Sequence, residues 1–258
     1  MVNNSIPKVI HYCWFGGNPL PELALRCIES WKKYFPDYEI KEWNETNFDV
    51  NIIPYTAQAY KAKKYAFVSD YARFWILYKY GGLYFDTDVE VVKNMDDIIS
   101  KGSFMGCENW AQPGIVSGFG LGVNPGLGLG VNPGLDLIGE ILDHYKTLSF
   151  LDKNGNPNLE TIVEITTKLL CKYGLQNVNE IQNVRGVNIY PKDYFCPIDM
   201  ITEKLKISSR TVSIHWYMGS WVEHRQWRNI RSFLRKILPE HLFLAYNKFK
   251  KKLRHAQN

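Results

Sequence analysis

Cysteine is scarce and follows no pairing pattern. Cys13, Cys27, Cys107, Cys171 and Cys196 are odd in number, and no two have Cys-x-x-Cys spacing. A disulfide framework and a zinc knuckle are excluded on that ground, and the thiols read as small buried hydrophobes in a reducing compartment. No apolar run reaches the roughly 18 residues needed to cross a bilayer. The opening Met1-Val2-Asn3-Asn4-Ser5 is polar and has no basic segment leading into an apolar one, so it does not resemble a secretory leader. The expected location is cytoplasmic, peripheral at the inner membrane face. The glycines never fall at the offsets Gly-x-Gly-x-x-Gly, which excludes the dinucleotide-binding fingerprint.

What is present suits an ordinary folded chain. The 258 residues are 45% hydrophobic and 22% charged, enough for one large domain that needs no staples. Eight Trp, 16 Tyr and 13 Phe supply either a large aromatic core or a site that stacks on flat rings. The net charge of +5 is unevenly placed: the segment from Trp221 to Asn258 carries ten Lys or Arg and two acids, leaving −3 on the rest. The expected division is an α/β domain over residues 1–225 and a basic amphipathic helical tail over 226–258. In the tail Arg228, Arg231 and Arg235 recur at helical spacing beside Phe233, Leu234, Ile237 and Leu238. Such a segment either meets an anionic membrane surface or is a solvated basic helix. No recognition motif accompanies the charge, so no nucleic acid partner is expected.

Hydrophobic patterning predicts a strand over Val9–Phe15, then a helix opened by Pro19 and Pro21 and stopped at Pro36-Asp37, then a strand from Tyr38 to Trp43. This order predicts an α/β sheet with crossover helices. Residues 65–80 read as a second helix that ends at Gly81-Gly82, with Asp70, Arg73 and Leu77 on one face. A strand is expected over Leu83–Val92. Residues 102–135 read as a long loop, in which Gly-Leu-Gly-Val-Asn-Pro-Gly-Leu occurs twice in tandem, at 120–127 and 128–135. Helices follow through Ile138–Tyr145 and Leu159–Tyr173, and short strands at 187–190 and 211–217.

Asp86-Thr87-Asp88 is the one Asp-x-Asp in the chain. On a strand its carboxylates would point the same way, and side by side they repel. A divalent cation with a preference for oxygen ligands, Mn²⁺ or Mg²⁺, would relieve that repulsion and could hold a diphosphate. The competing reading is a surface acidic pair. Upstream, Asp70 and Arg73 form either a helix ion pair or a carboxylate and a guanidinium offered to a ligand. Gly81-Gly82 would let that ligand approach the backbone closely.

Ser69-Asp70-x-x-Arg73, Leu77-Tyr78, Gly81-Gly82, Tyr84, Asp86 and Asp88 together resemble the glycosyltransferase sugar-binding region containing DXD motif, of the family 32 type. This family includes initiating mannosyltransferases and capsular polysaccharide transferases. Ile6 to Trp14, Cys27 to Trp31, Glu42-Trp43-Asn44 and Ser213 to Trp221 extend the resemblance over roughly residues 6–222. The resemblance implies a GT-A fold: a Rossmann-like mixed sheet flanked by helices. It implies a metal-dependent, retaining transfer from a UDP- or GDP-sugar to a glycan or lipid-linked acceptor, in bacterial surface polysaccharide synthesis.

Carried over by position, Asp88 would be the direct metal ligand, Asp86 would bridge the metal and the ribose or sugar of the donor, and Asp70 and Arg73 would touch the donor sugar. Gly82 and Tyr84 belong to the same donor segment. Ser220 and Trp221 close over the diphosphate, and Glu108 and Asn109 line the acceptor side. Trp14 would stack on the base or sit in the core. His215 would be a third metal ligand or a hydrogen-bonded core histidine. Two rivals stay open: a haloacid-dehalogenase-like phosphotransferase with Asp86 as nucleophile, and a carbohydrate-binding module without catalysis.

Overall fold

The computed structural model describes residues 5–109, 122–198 and 204–218. The chain divides into two compact units, residues 1–197 with 207–217, and residues 198–206 with 218–258. In the second, Ile198 and Leu205 form an isolated antiparallel bridge. All the elements named below belong to the first. The tail over 226–258 lies outside the described residues.

The chain order is β1 (Val9–Cys13), α1 (Glu22–Tyr34), β2 (Glu39–Trp43), α2 (Pro54–Lys61), α3 (Tyr65–Tyr80), β3 (Gly82–Tyr84), β4 (Val89–Val91) and α4 (Asp96–Ile99). There follow β5 (Phe104–Asn109), β6 (Gly122–Val131), α5 (Asp136–Lys146), α6 (Ile162–Lys172), β7 (Gln182–Val184), β8 (Val187–Tyr190), α7 (Lys192–Phe195) and β9 (Ser213–His215). Seven strands form one mixed sheet in the order β2-β1-β3-β6-β5-β8-β7, and β4 and β9 pair separately. The pairs β2/β1, β1/β3 and β5/β8 are parallel; β3/β6, β6/β5 and β8/β7 are antiparallel. The expected mixed α/β architecture is therefore present.

Period-two alternation splits the core between the two sheet faces. Ile10, Tyr12, Leu83 and Phe104 join one cluster, with Cys27 and Trp31 of α1 and Phe195 of α7. Cys13, Tyr84, Met105 and Ile189 join the other, with α3, α5 and α6. Helix α3 is buried on most of its circumference, Asp70 and Arg73 included. It ends at Gly81, whose φ of +64° is a left-handed conformation that glycine adopts without strain.

Two expectations are corrected. The strand expected over 83–92 is broken: Asp86, Thr87 and Asp88 form the turn between β3 and β4, and the Val89 N–H donates to the Asp86 carbonyl at 3.0 Å. The long loop expected over 102–135 instead contributes β5 and β6, two central strands. Its Gly/Pro content conceals an alternation in which Leu127, Leu129 and Val131 are fully buried while Gly128 and Gly130 lie against aromatic rings. A Cβ on Gly130 would sit 2.3 Å from the Phe104 ring, so glycine there is a packing requirement.

His11 in β1 ties the strand edges together. Its Nδ1 accepts from Trp43 Nε1 at 3.0 Å, which leaves Nε2 to carry the proton toward the Gly81 carbonyl 3.1 Å away. Both ring nitrogens are thus used by the neutral imidazole, and burial pushes its pKa down to about 4. The unfolded chain takes up a proton near pH 6.5 and the folded one does not until about pH 4. Stability therefore falls as pH drops through this window, by about 3 kcal/mol from this group. Urea titrations from pH 7 to 4 should record that slope, and His11→Gln, which keeps a donor and an acceptor, should flatten it.

Candidate functional site

The site lies at the carboxyl ends of the parallel strands, where ligands of open α/β sheets bind. Trp14 follows β1 and the Asp86–Asp88 turn follows β3. Three elements hold this turn by hydrogen bonds. The Asp86 N–H donates to the Gly126 carbonyl of β6 at 3.0 Å, and the Trp216 N–H donates to the Asp88 carbonyl at 2.9 Å. From α1, Trp31 Nε1 donates to the Val89 carbonyl at 2.8 Å, and Ser30 Oγ accepts from the Val91 N–H at 2.9 Å.

The β4–β9 ladder sets Val89 opposite His215. His215 Nε2 then lies 3.1 Å from Asp88 Oδ1. One ligand atom each from Asp86, Asp88 and His215 falls within 4.8 Å of the others. The strand alternation expected to align the carboxylates is absent, and a turn brings them together instead. Burial disfavours the charged imidazole of His215, but the adjacent Asp88 carboxylate outweighs it and raises the pKa well above the ordinary value. Tyr217 has a left-handed backbone (φ +49°), which turns its ring back onto His215 with centroids 4.2 Å apart. Its hydroxyl meets Cys196 Sγ at 2.8 Å. The donor set, two carboxylates and one imidazole, fits a divalent ion such as Mn²⁺ better than Mg²⁺, which prefers oxygen alone.

Arg73 carries a second arrangement. Its side chain is 4% exposed and bridges Asp70 Oδ1 at 2.8 Å and Asp86 Oδ1 at 3.1 Å. Its Nε donates to the Ser69 carbonyl at 3.2 Å, and its guanidinium lies 4.8 Å over the Tyr84 ring. The Tyr84 hydroxyl reaches Asp86 Oδ1 at 3.3 Å. Arg73 and Tyr84 therefore act on Asp86 from within the protein. Burial pushes the Asp70 carboxyl up to about 7 against the pull of Arg73.

At Gly82 the strand packing itself requires glycine. A Cβ there would meet the Val9 carbonyl at 2.7 Å and the His11 ring at 3.1 Å. Trp14 is half-buried just beyond the end of β1, its Nε1 donating to the Asn18 carbonyl at 2.6 Å. Glu108, on β5, accepts from Asn124 Nδ2 at 2.8 Å, and burial raises its pKa. Ser220, Trp221 and the side chain of Asn109 lie outside the described residues.

Sequence reasoning missed Asn124 and Gly126, because the repeat reads as a loop. The signal was there in the alternation of glycine with Leu and Val along 127–131. A Cβ on Gly126 would lie 1.8 Å from Asp86 Oδ2 and 2.8 Å from Arg73 Nη1. Gly126→Ala must displace the Asp86 carboxylate from Arg73. The expected loss is about 1–3 kcal/mol of stability in urea denaturation.

Residues 21–105 match the family model described as "Glycosyltransferase sugar-binding region containing DXD motif". This stretch includes Asp70, Arg73, Asp86 and Asp88. The chain is 33% identical over 103 residues to inositol phosphoceramide mannosyltransferase 3 of Schizosaccharomyces pombe, covering 37% of this chain and 28% of that protein. It is 31% identical over 112 residues to inositol phosphoceramide mannosyltransferase 1 of the same yeast, covering 39% and 34%. The chain thus spans about a third of the length of these curated relatives. A solved glycosyltransferase involved in glycosylation of the major capsid of PBCV-1 aligns with a TM-score of 0.47 at 12% identity, over 87% of this chain and 100% of that one. Residues 21–105, which run from the start of α1 into β5 and contain the Asp-x-Asp turn, are therefore similar to a glycosyltransferase sugar-binding region of the DXD type.

Proposed function

We propose that this protein is a metal-dependent glycosyltransferase that moves a sugar from a UDP- or GDP-sugar to a glycan or lipid-linked acceptor. The observation that carries the reading is the convergence of Asp86, Asp88 and His215 on one point at the strand ends, within reach of the matched family segment. These three residues would hold Mn²⁺, or Mg²⁺. A cation held there would supply charge neutralisation to the departing diphosphate.

The protein's own groups do the rest. Arg73 fixes the Asp86 carboxylate and adds positive charge on the side where negative charge develops. Asp70 accepts from donor-sugar hydroxyls. The Trp14 ring stacks on the base, and Ser220 and Trp221 close over the diphosphate. Glu108 and Asn109 hold the acceptor hydroxyl against the anomeric carbon, turning an encounter into an oriented reaction. By family resemblance the transfer is retaining. The phosphotransferase alternative needs Asp86 free to attack phosphorus, whereas Arg73 and Tyr84 engage it.

The names of the yeast relatives favour a mannosyl donor and a glycolipid acceptor, ahead of a role in bacterial surface polysaccharide synthesis. No helix among the described residues is long and apolar enough to cross a membrane. The basic tail is proposed to bring the enzyme to an anionic surface where a lipid-linked acceptor resides.

Nucleotide release should be measured across a panel of nucleotide-sugars, GDP-mannose first, with Mn²⁺ and after chelation. Chelation should abolish release and Mn²⁺ restore it. Asp88→Ala should lower kcat/KM at least ~100-fold, about 2.7 kcal/mol of transition-state stabilisation. Most of the activity surviving in Asp88→Ala at saturating Mn²⁺ would overturn the metal reading. Removing residues 226–258 should reduce flotation with anionic liposomes; unchanged flotation removes the membrane role.

A further inference from the structure

We infer that Asn124 is a positioning residue for the metal-binding turn, and that it acts by locking an irregular segment of β6 against Asp86. The inference rests on the metal-site reading above. Where β6 meets β5, Met105 stands opposite Leu129 but the next residue, Gly106, stands opposite Asn124. Residues 125–128 are therefore surplus to the ladder and form a bulge, which needs something besides strand pairing to hold its shape.

The Asn124 side chain supplies that hold. Its Oδ1 accepts from the Gly126 N–H at 2.8 Å, inside the bulge. Its Nδ2 donates to Glu108 Oε2 at 2.8 Å, anchoring the amide to β5. The Gly126 carbonyl, so aimed, accepts from the Asp86 N–H at 3.0 Å. Lys192 Nζ fixes the same end of β5 by donating to the Glu108 carbonyl at 2.9 Å. A continuous chain of hydrogen bonds thus runs from Glu108 through Asn124 and Gly126 to the backbone of Asp86. Asn124 is buried, so its two polar atoms exchange few bonds with water, and losing them leaves buried groups unmatched.

The tandem repeat contains its own control. Asn132-Pro133-Gly134 is the same tripeptide one repeat later, and there it forms the turn into α5, with the Gly134 N–H donating to the Tyr78 carbonyl at 2.8 Å. Identical local sequence therefore serves two different ends, and only the first copy touches the Asp86 turn.

The test compares Asn124→Ala with Asn132→Ala in the full chain, by two readouts. Amide exchange at Asp86, followed by NMR on ¹⁵N-aspartate-labelled protein without metal, should accelerate at least tenfold in Asn124→Ala and stay at the wild-type rate in Asn132→Ala. Mn²⁺ affinity, measured by electron paramagnetic resonance, should weaken roughly tenfold in the first variant only, the scale of outer-shell effects at metal sites. Asn124→Asp keeps an acceptor for the Gly126 N–H but loses the donor to Glu108 and sets two carboxylates side by side, so it should restore Asp86 protection only in part. Asn124→Leu, of similar volume and without polar side-chain atoms, stands in should Asn124→Ala not fold, with the same expected loss. Unchanged Asp86 exchange in the folded variant, or equal acceleration in Asn132→Ala, overturns the inference. Wild-type protein that takes up no Mn²⁺ defeats the metal reading while leaving the exchange result to decide the role of Asn124 in shaping the turn.

Discussion

A single guanidinium, that of Arg73, holds the electrostatics of the site together. It is taken almost entirely out of water and contacts two carboxylates, Asp70 on its own helix and Asp86 on the turn beyond β3. Burying these charges carries a desolvation penalty of several kcal/mol per ion, which only close geometry and further hydrogen bonds offset. Both conditions are met: the Nε of Arg73 uses the Ser69 carbonyl, and Tyr84 lies beneath the guanidinium while its hydroxyl reaches Asp86. The burial of α3 follows from this arrangement, since a helix apolar on most of its surface can carry an aspartate and an arginine inward only if they satisfy each other and a third group.

Around that charge group, the turn is fixed by main-chain bonds from separate parts of the chain. The β6 segment takes the Asp86 amide, β9 and the residue after it take the edge of β4, and α1 supports β4 from below through Trp31 and Ser30. The backbone of the turn is satisfied without using the carboxylates, so Asp86 and Asp88 can converge with His215 while Arg73 and Tyr84 hold Asp86 from behind. Where a fold provides such support to a short turn, the functional atoms are held to small tolerances although they lie outside any strand or helix.

Much of this was legible in the sequence. The strands β1, β2, β8 and β9 and the helices α1, α3, α5 and α6 follow from periodicity and from proline and glycine stops. The Asp-x-Asp, Asp70, Arg73 and His215 stand out as chemistry-bearing residues. The unread part has physical causes. Strand β6 is built from glycine, proline and small apolar residues because bulky aromatics press on it from β5 and α7, and that composition imitates a loop. The break at Asp86 is set by Gly126 and by β4 joining β9, contacts between distant segments that no local pattern records. The inward direction of Arg73 depends likewise on a carboxylate thirteen positions away.

The pairing of β4 with β9 joins an early stretch of the chain to a late one. The segment that carries the family resemblance, residues 21–105, therefore holds both acidic side chains but neither the imidazole nor the carbonyl that seats the turn. A nascent polypeptide emerging from the ribosome possesses the signature for more than a hundred residues of synthesis before it possesses the centre. Excising the signature as a minimal unit would yield a peptide that carries Asp86 and Asp88 without His215 or the Gly126 carbonyl.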